Sequence, residues 1–317
     1  MAVFVSVSDE TDGGHHRSKF WHGGWLMPAT DWYEYFAPAW QERVLDTKPK
    51  IPYLHMTDIR DPSWCKERGI SWDQAQEKMD MAAILISQMG SLRPVTVNAN
   101  AGMFLDAHGK KKIMKNADGP KPSRFLIDHY CFNAYVLTVL NYIHLKHPET
   151  EKVDFLVERK DGVFEKLKQF YSSLEGSLEY IGHPELRKYL GELKAAGKCL
   201  VPLQAADMLC WHVSRADLGL LKGRDANRAA TIFHGRSGPI MDLPDKLHFT
   251  LARAFAKRMD EIENGISKDR RKNEESNTGS SRQTEGRSGS KMRQKEKPKD
   301  STSGRFRIKR GKGQLTF

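Results

Sequence analysis

Three acidic positions, distant in the chain, each sit at the end of an apolar stretch or inside one. Asp9, with Glu10 beside it, follows "AVFVSVS", Glu158 follows "KVDFLV", and Asp207 lies within "LVPLQAADMLCWHVSRA". Counting from Pro202, which suits the first turn of a helix, Asp207 falls more than a full turn inside, so it is not a cap. Its neighbours at helical spacing are Leu203, Gln204, Cys210 and Trp211, which places it on a largely apolar face. Desolvating a carboxylate costs roughly several kcal/mol unless a cation or hydrogen bonds compensate. Two partners suit Asp207: Arg215 or another arginine, or a hard divalent cation. Mg²⁺ and Mn²⁺ prefer oxygen ligands, and a pair of them can activate water and stabilise the leaving oxygen of a phosphodiester. Asp9, Glu158 and Asp207, supported by Glu10, are therefore the candidate metal-ligating and catalytic residues.

Each acid also has a plainer reading. Asp9 and Glu10 precede "TDGG", which is turn chemistry, and Glu158 adjoins Arg159 and Lys160, either of which can pair with it. Asp154, four residues before Glu158 on the same strand face, competes for its role, whereas Asp161 suits the cap of the next helix. Histidines cluster at His15, His16 and His22 and recur at His55, His129 and His212, but no HExxH spacing occurs and zinc is not indicated. His15 and His16 follow the first acids in a glycine-flanked loop, exposed or in contact with substrate phosphate. His212 lies off the face of Asp207 and reads as a packed residue. Asp128 at the start of a long helix reads as a capping acid. There is no nucleophile elbow, P-loop or GxGxxG. The aromatics of "WYEYFAPAW" have helical spacing and read as core, and Asn98 and Asn100 share a strand face.

The elements that must position these acids follow from periodicity. Residues 2 to 8 alternate as a strand, and "KFWHGGWLMP" reads as a second strand, hairpin-paired with the first and interrupted by Gly23 and Gly24. Asp31 is expected to cap a helix to about Leu45, and Ile51 to Met56 is ambiguous. Residues 72 to 90 form a helix, "RPVTVNANAG" a strand, Ser123 to about Lys146 a long helix, and "EKVDFLVERKDG" a strand. Helices are expected over 163 to 175, 184 to 196, 203 to 216 and about 245 to 263, with a short strand near Leu178 to Ile181. Strands alternating with helices after an initial hairpin give an α/β class with a mixed sheet.

The 317 residues, 39% of them hydrophobic, can bury a sizeable core, and the chain carries a net charge of +11. Between residues 264 and 317, sixteen Lys and Arg stand against six Asp and Glu, so ten of those eleven charges belong to that stretch. It is rich in Ser, Gly and Lys, and a disordered basic tail over 264–317 is expected after a folded domain over 1–263. Its end, "GRFRIKRGKGQLTF", interleaves Arg305, Arg307, Lys309, Arg310 and Lys312 with two phenylalanines. That pattern is either a solvated tail or a contact surface for DNA or RNA phosphates. Four cysteines without a CxxC pair suggest buried thiols in a reducing compartment. With no signal-like amino terminus and no apolar run near about 18 residues, a cytoplasmic protein is expected.

The segments "FVSVSDET", "KVDFLVERKDG" and "PLQAADMLCWHVSR" together resemble the bacterial and phage domain-of-unknown-function family numbered 3800. That family shows a strand ending in Asp-Glu-Ser-Gly and a late helix with a Gln-Leu-Ala-Asp-Leu-Leu core. The resemblance spans about residues 3 to 217, and the late-helix motif is its most specific part. Departures are Thr11-Asp12 in place of Ser-Gly, Ala205 in place of Leu, and apparent extra length over about 182 to 198. It implies a ribonuclease H-like fold with acids on the first strand, the fourth strand and the last helix, here Asp9, Glu158 and Asp207. The implied function is a metal-dependent nuclease or phosphodiesterase acting on DNA or RNA. The alternatives are a non-catalytic nucleic-acid-binding or assembly protein of phage or mobile-element origin, and a hydrolase of another phosphate ester or a sugar.

Overall fold

The computed structural model describes residues 3–10, 19–100, 114–116, 119–121, 124–160 and 163–234. By contacts the chain divides into two units, Met1–Glu263 and Asn264–Phe317, and every described residue belongs to the first. Asp12, His15, His16, Asp161, the helix expected near 245 to 263, the tail and its cations Arg305, Arg307, Lys309, Arg310 and Lys312 all lie outside the described residues.

The expected hairpin is present. Strand β1 (Val3–Glu10) pairs antiparallel with β2 (Lys19–Pro28), which pairs antiparallel with β3 (Arg93–Asn100). A short hairpin of β4 (Met114–Asn116) and β5 (Gly119–Lys121) stands apart. Strand β6 (Lys152–Glu158) pairs parallel with β1 on its other side, and β7 (Leu190–Ala196) pairs parallel with β6. The main sheet is therefore mixed and five-stranded, in the order β3-β2-β1-β6-β7.

Parallel neighbours need long crossovers, and helices supply them. Helix α5 (Arg124–Lys146) leads to β6, and α6 (Phe164–Tyr180) leads to β7. Their residues Phe132, Tyr135, Val139, Phe170 and Leu178 bury one face of the sheet against Phe4, Val153 and Phe155. The opposite face carries α1 (31–45), α2 (Met56–Ile59), α3 (Pro62–Glu67), α4 (Trp72–Gln88), α7 (Val201–Asp217) and α8 (Arg224–Phe233). There Val5, Val7 and Leu156 meet Trp32, Trp40, Met79, Leu203 and Met208. Of the "WYEYFAPAW" aromatics, Trp32, Phe36 and Trp40 are core as expected, whereas Tyr33 and Tyr35 are exposed.

Several expectations are corrected. Residue 184 to 196 is not a helix: a 3₁₀ turn (Pro184–Tyr189) runs into β7, so the apparent extra length supplies the fifth strand. Leu, Glu, Lys and Ala in "LGELKAA" favour helix, but pairing with β6 overrides propensity. Gly191 allows that pairing, because a Cβ there would collide with the Asp154 carboxylate and the Val153 carbonyl. Leu178 to Ile181 is the end of α6, not a strand. Asp31 starts α1 without capping it, the N-cap position being Thr30 with no side-chain hydrogen bond. Gly24 is required for the first hairpin, since a Cβ there would collide with the Val7 carbonyl and stand 2.7 Å from Ser8 Cα. Among the described residues no helix is long and apolar enough to cross a membrane.

Candidate functional site

Side-chain alternation along β1 and β6 decides where the acids point. Val5 and Val7 face α7, while Phe4 packs on the α5 side and Ser6 hydrogen-bonds the Tyr135 hydroxyl of α5 at 2.8 Å. Period-two alternation carries Asp9 to the α7 face. On β6, Leu156 faces α7 and Val153, Phe155 and Val157 face α5, which puts Glu158 on the α7 face as well. The strands are parallel with Ser8 opposite Val157, so Asp9 and Glu158 leave neighbouring strands at the same carboxyl-terminal edge. Such edges are where ligand crevices form in α/β sheets.

Helix α7 brings the third acid. It packs across β1 and β2 through Trp25, whose indole donates to the Ala205 carbonyl at 2.9 Å, and through Cys210, whose thiol donates to the carbonyls of Asp9 at 3.1 Å and Gly23 at 3.2 Å. Gly23 makes room for that thiol, because a Cβ there would lie 3.1 Å from it. Asp207, one turn earlier than Cys210, consequently lines one small cavity with Asp9, Glu158, His55, Lys198 and Gln204. Sequence-distant Asp9, Glu158 and Asp207 are thus brought together.

A lysine sits among the acids. Lys160 Nζ lies 3.0 Å from Glu10 Oε1, 3.5 Å from Glu158 Oε2 and 3.8 Å from Asp9 Oδ1. The pairing of Glu158 with Lys160 is therefore real, and Glu10 and Asp9 share the same ammonium. Despite it, burial pushes the Asp9 carboxyl up to about 8, with the negative charge of Asp207 adding to the effect. Burial likewise raises Asp207 to about 7, opposed by a 2.6 Å hydrogen bond from the Met56 backbone N–H and reinforced by Glu158 and Asp58. The Arg215 guanidinium lies 4.3 Å from the Trp211 ring centroid. The nearest cation-capable group is His55, with Nε2 3.7 Å from Asp207 Oδ1.

Asp154 does not join the site: it accepts from the Glu192 N–H at 2.9 Å and lies 3.2 Å from Lys194 Nζ, holding β7 to β6. His212 is core, its Nδ1 2.8 Å from the Met208 carbonyl. His22 is also buried, with Nε2 2.9 Å from Ser8 Oγ, and burial drops it to about 4. With His129 it lines a second cavity, which shares Asp9 and Glu158 with the first and adds Glu10 and Lys160. Cys65, Cys131 and Cys210 are buried free thiols, and Cys199 is exposed.

The segment 51 to 56, ambiguous from sequence, contributes a wall of the site. Gln204 fixes it: Oε1 accepts from the Leu54 N–H at 2.9 Å and from the Trp40 indole at 3.0 Å, and Nε2 donates to the Cys199 carbonyl at 3.1 Å. His55 follows, 3.6 Å from Asp58 Oδ1, and Asp58 is held by the Tyr53 hydroxyl at 2.8 Å and Lys198 at 2.7 Å. The only sequence signal was a polar Gln204 on an apolar helical face. Gln204→Leu strands the Leu54 N–H and the Trp40 indole, and is expected to cost about 2–4 kcal/mol, read as a lower urea midpoint at unchanged slope.

Among the described residues, no group of three His, Cys, Asp or Glu side chains is arranged to hold one metal ion; Asp9, Glu10 and Glu158 converge on an ammonium instead. The chain matches no family model, no curated protein and no solved structure in comparisons with each.

Proposed function

We propose that the protein is a divalent-metal-dependent phosphodiesterase or nuclease. The observation that carries this reading is the meeting of Asp9, Glu158 and Asp207 at one sheet edge, two of them with carboxyl groups pushed up to about 8 and 7 by burial among like charges. Acids kept for structure alone are normally neutralised by close partners, whereas a carboxylate cluster with too few cations is what a metal or substrate completes. The strand order and directions, with only β2 antiparallel to its neighbours, support a ribonuclease H-like core, and they agree with the motif resemblance to the family numbered 3800.

In type the donors suit Mg²⁺ or Mn²⁺, being carboxylate oxygens, but in their arrangement around the Lys160 ammonium no three of them are set around one ion, so Lys160 would have to give way. Asp9, Glu158 and Asp207 would hold the metal, with Glu10 beside them. When bound, the metal supplies a polarised water and stabilises charge on the phosphate and leaving oxygens. The chain's own residues prepare the place. The Met56 N–H orients Asp207, the Glu10 N–H orients Asp9 at 2.8 Å, and Lys160 balances part of the charge.

Labelled single- and double-stranded DNA and RNA should be incubated with the protein and Mg²⁺, Mn²⁺ or EDTA. Cleavage of at least one substrate that EDTA abolishes is the expected result. A second reading, a nucleic-acid-binding protein that keeps the acids for structure, is favoured by one observation, the Lys160 ammonium shared by Asp9, Glu10 and Glu158. Binding that persists in EDTA with no cleavage of any substrate would support it.

A further inference from the structure

From Asp207, α7 continues one turn to Trp211 and another to Arg215, so the three residues form a row along one side of the helix. Trp211 is half-buried, with two guanidiniums near its ring: Arg60 at 4.5 Å from the centroid and Arg215 at 4.3 Å. Arg60 also faces Trp72, 5.7 Å from that ring, and Trp72 is 49% exposed. An ion pair with Asp225 at 2.9 Å fixes Arg60 in this position. Leu218 and Leu220, just past the end of α7, are exposed as well.

Trp211 packs against the core with part of its indole and leaves the rest at the surface, and Trp72 beside Arg60 exposes about half of its side chain. The combination has a specific chemistry. Planar guanidiniums and indoles stack on nucleobases, and the outward N–H groups of arginine donate to phosphate oxygens. Double helices keep their bases stacked inside, so a stacking surface selects unpaired strands. The row starts at an acid of the candidate metal site, which gives a bound strand a direction.

We propose that Trp72, Arg60, Trp211 and Arg215 form the binding track for single-stranded nucleic acid, delivering the strand to the carboxylate cluster. The placement of its end rests on the phosphodiesterase reading, but binding to the track does not require cleavage. The two can therefore fail separately.

The test is fluorescence anisotropy of the full chain in EDTA and 0.3 M salt, with a labelled 12-nucleotide single strand and the matching 12-base-pair duplex. High salt weakens simple phosphate attraction, including that of a basic tail, more than it weakens stacking. The single strand is expected to bind at least tenfold more tightly than the duplex, and Trp72→Ala and Arg215→Ala are each expected to weaken it fivefold or more while leaving the duplex unchanged. Trp72 is exposed and Arg215 partly so, and unchanged unfolding midpoints would confirm that the variants fold. The proposal is overturned by variants that bind the single strand like wild type, by equal binding of duplex and single strand, or by polyglutamate of the same charge displacing the strand as well as unlabelled strand does. Absence of metal-dependent cleavage alongside the expected binding pattern would remove the phosphodiesterase reading and leave the track standing.

Discussion

Asp9→Asn is expected to lower metal-dependent cleavage by about a hundred- to a thousandfold, the scale seen when a group that stabilises transition-state charge is removed. In the same preparation without metal, it is expected to make the protein more stable at alkaline pH. The sign follows from the shift. The Asp9 carboxyl rises from an ordinary 3.8 to about 8 on folding, through burial and the charge of Asp207. A group with a raised folded value contributes its full stability below pH about 4 and loses it as pH climbs through 8. Wild type therefore weakens between pH 4 and 8, and Asn, which is neutral throughout, removes Asp9's share of that loss. Asn can still accept the Glu10 N–H. Thermal unfolding of both proteins at pH 4 and pH 9 in EDTA reads the effect: nearly equal midpoints at pH 4, and a clearly higher midpoint for Asp9→Asn at pH 9. A variant that is less stable than wild type at pH 9 would mean that the carboxylate serves the fold.

Lys160→Gln separates the roles of ammonium and metal. It removes an ammonium that lies within 4 Å of each of Asp9, Glu10 and Glu158. Breaking a buried pair costs about 3–5 kcal/mol, but the Lys160 side chain is 37% exposed, so screening reduces the expected loss to about 1–2 kcal/mol. Mn²⁺ is expected to restore that loss, and to stabilise the variant by a larger increment than it does wild type, because the ammonium no longer competes for the same oxygens. Midpoints with and without 5-millimolar-scale Mn²⁺ (about that concentration, well above ordinary site affinities) measure it. Equal increments in the two proteins would show that metal and lysine do not share the acids.

Much of this site is legible in the sequence. The alternation in "VFVSVSDE" and "KVDFLVE" places Asp9 and Glu158 on definite strand faces, and the apolar neighbours of Asp207 mark it as a carboxylate with an unusual environment. What periodicity could not carry were contacts between distant segments. The Met56 N–H reaches Asp207 across 151 positions and Gln204 reaches Leu54 across 150, so the ordering of segment 51 to 56 has no local signal. Strand β7 was hidden because its residues favour helix and only the β6 edge makes them a strand. Helix α8 was missed for a related reason. Its anchor is the buried Arg228, bonded to Asp80 and Asp225, and a charged residue does not announce an apolar face. Lys160 was visible as a neighbour of Glu158, but its contact with Glu10 spans 150 positions.

The most direct test of the central claim is calorimetric titration of Mn²⁺ into the full chain at pH 7, in two buffers with different ionisation heats. Because burial raises the Asp9 and Asp207 carboxyls well above the ordinary carboxylate range, metal binding to them is expected to release protons, and the measured heat should depend on the buffer. Binding with proton release in wild type, weakened at least tenfold in Asp207→Asn, is the result this account requires. No Mn²⁺ binding by wild type at millimolar concentration, or binding of equal strength in Asp207→Asn, would contradict it.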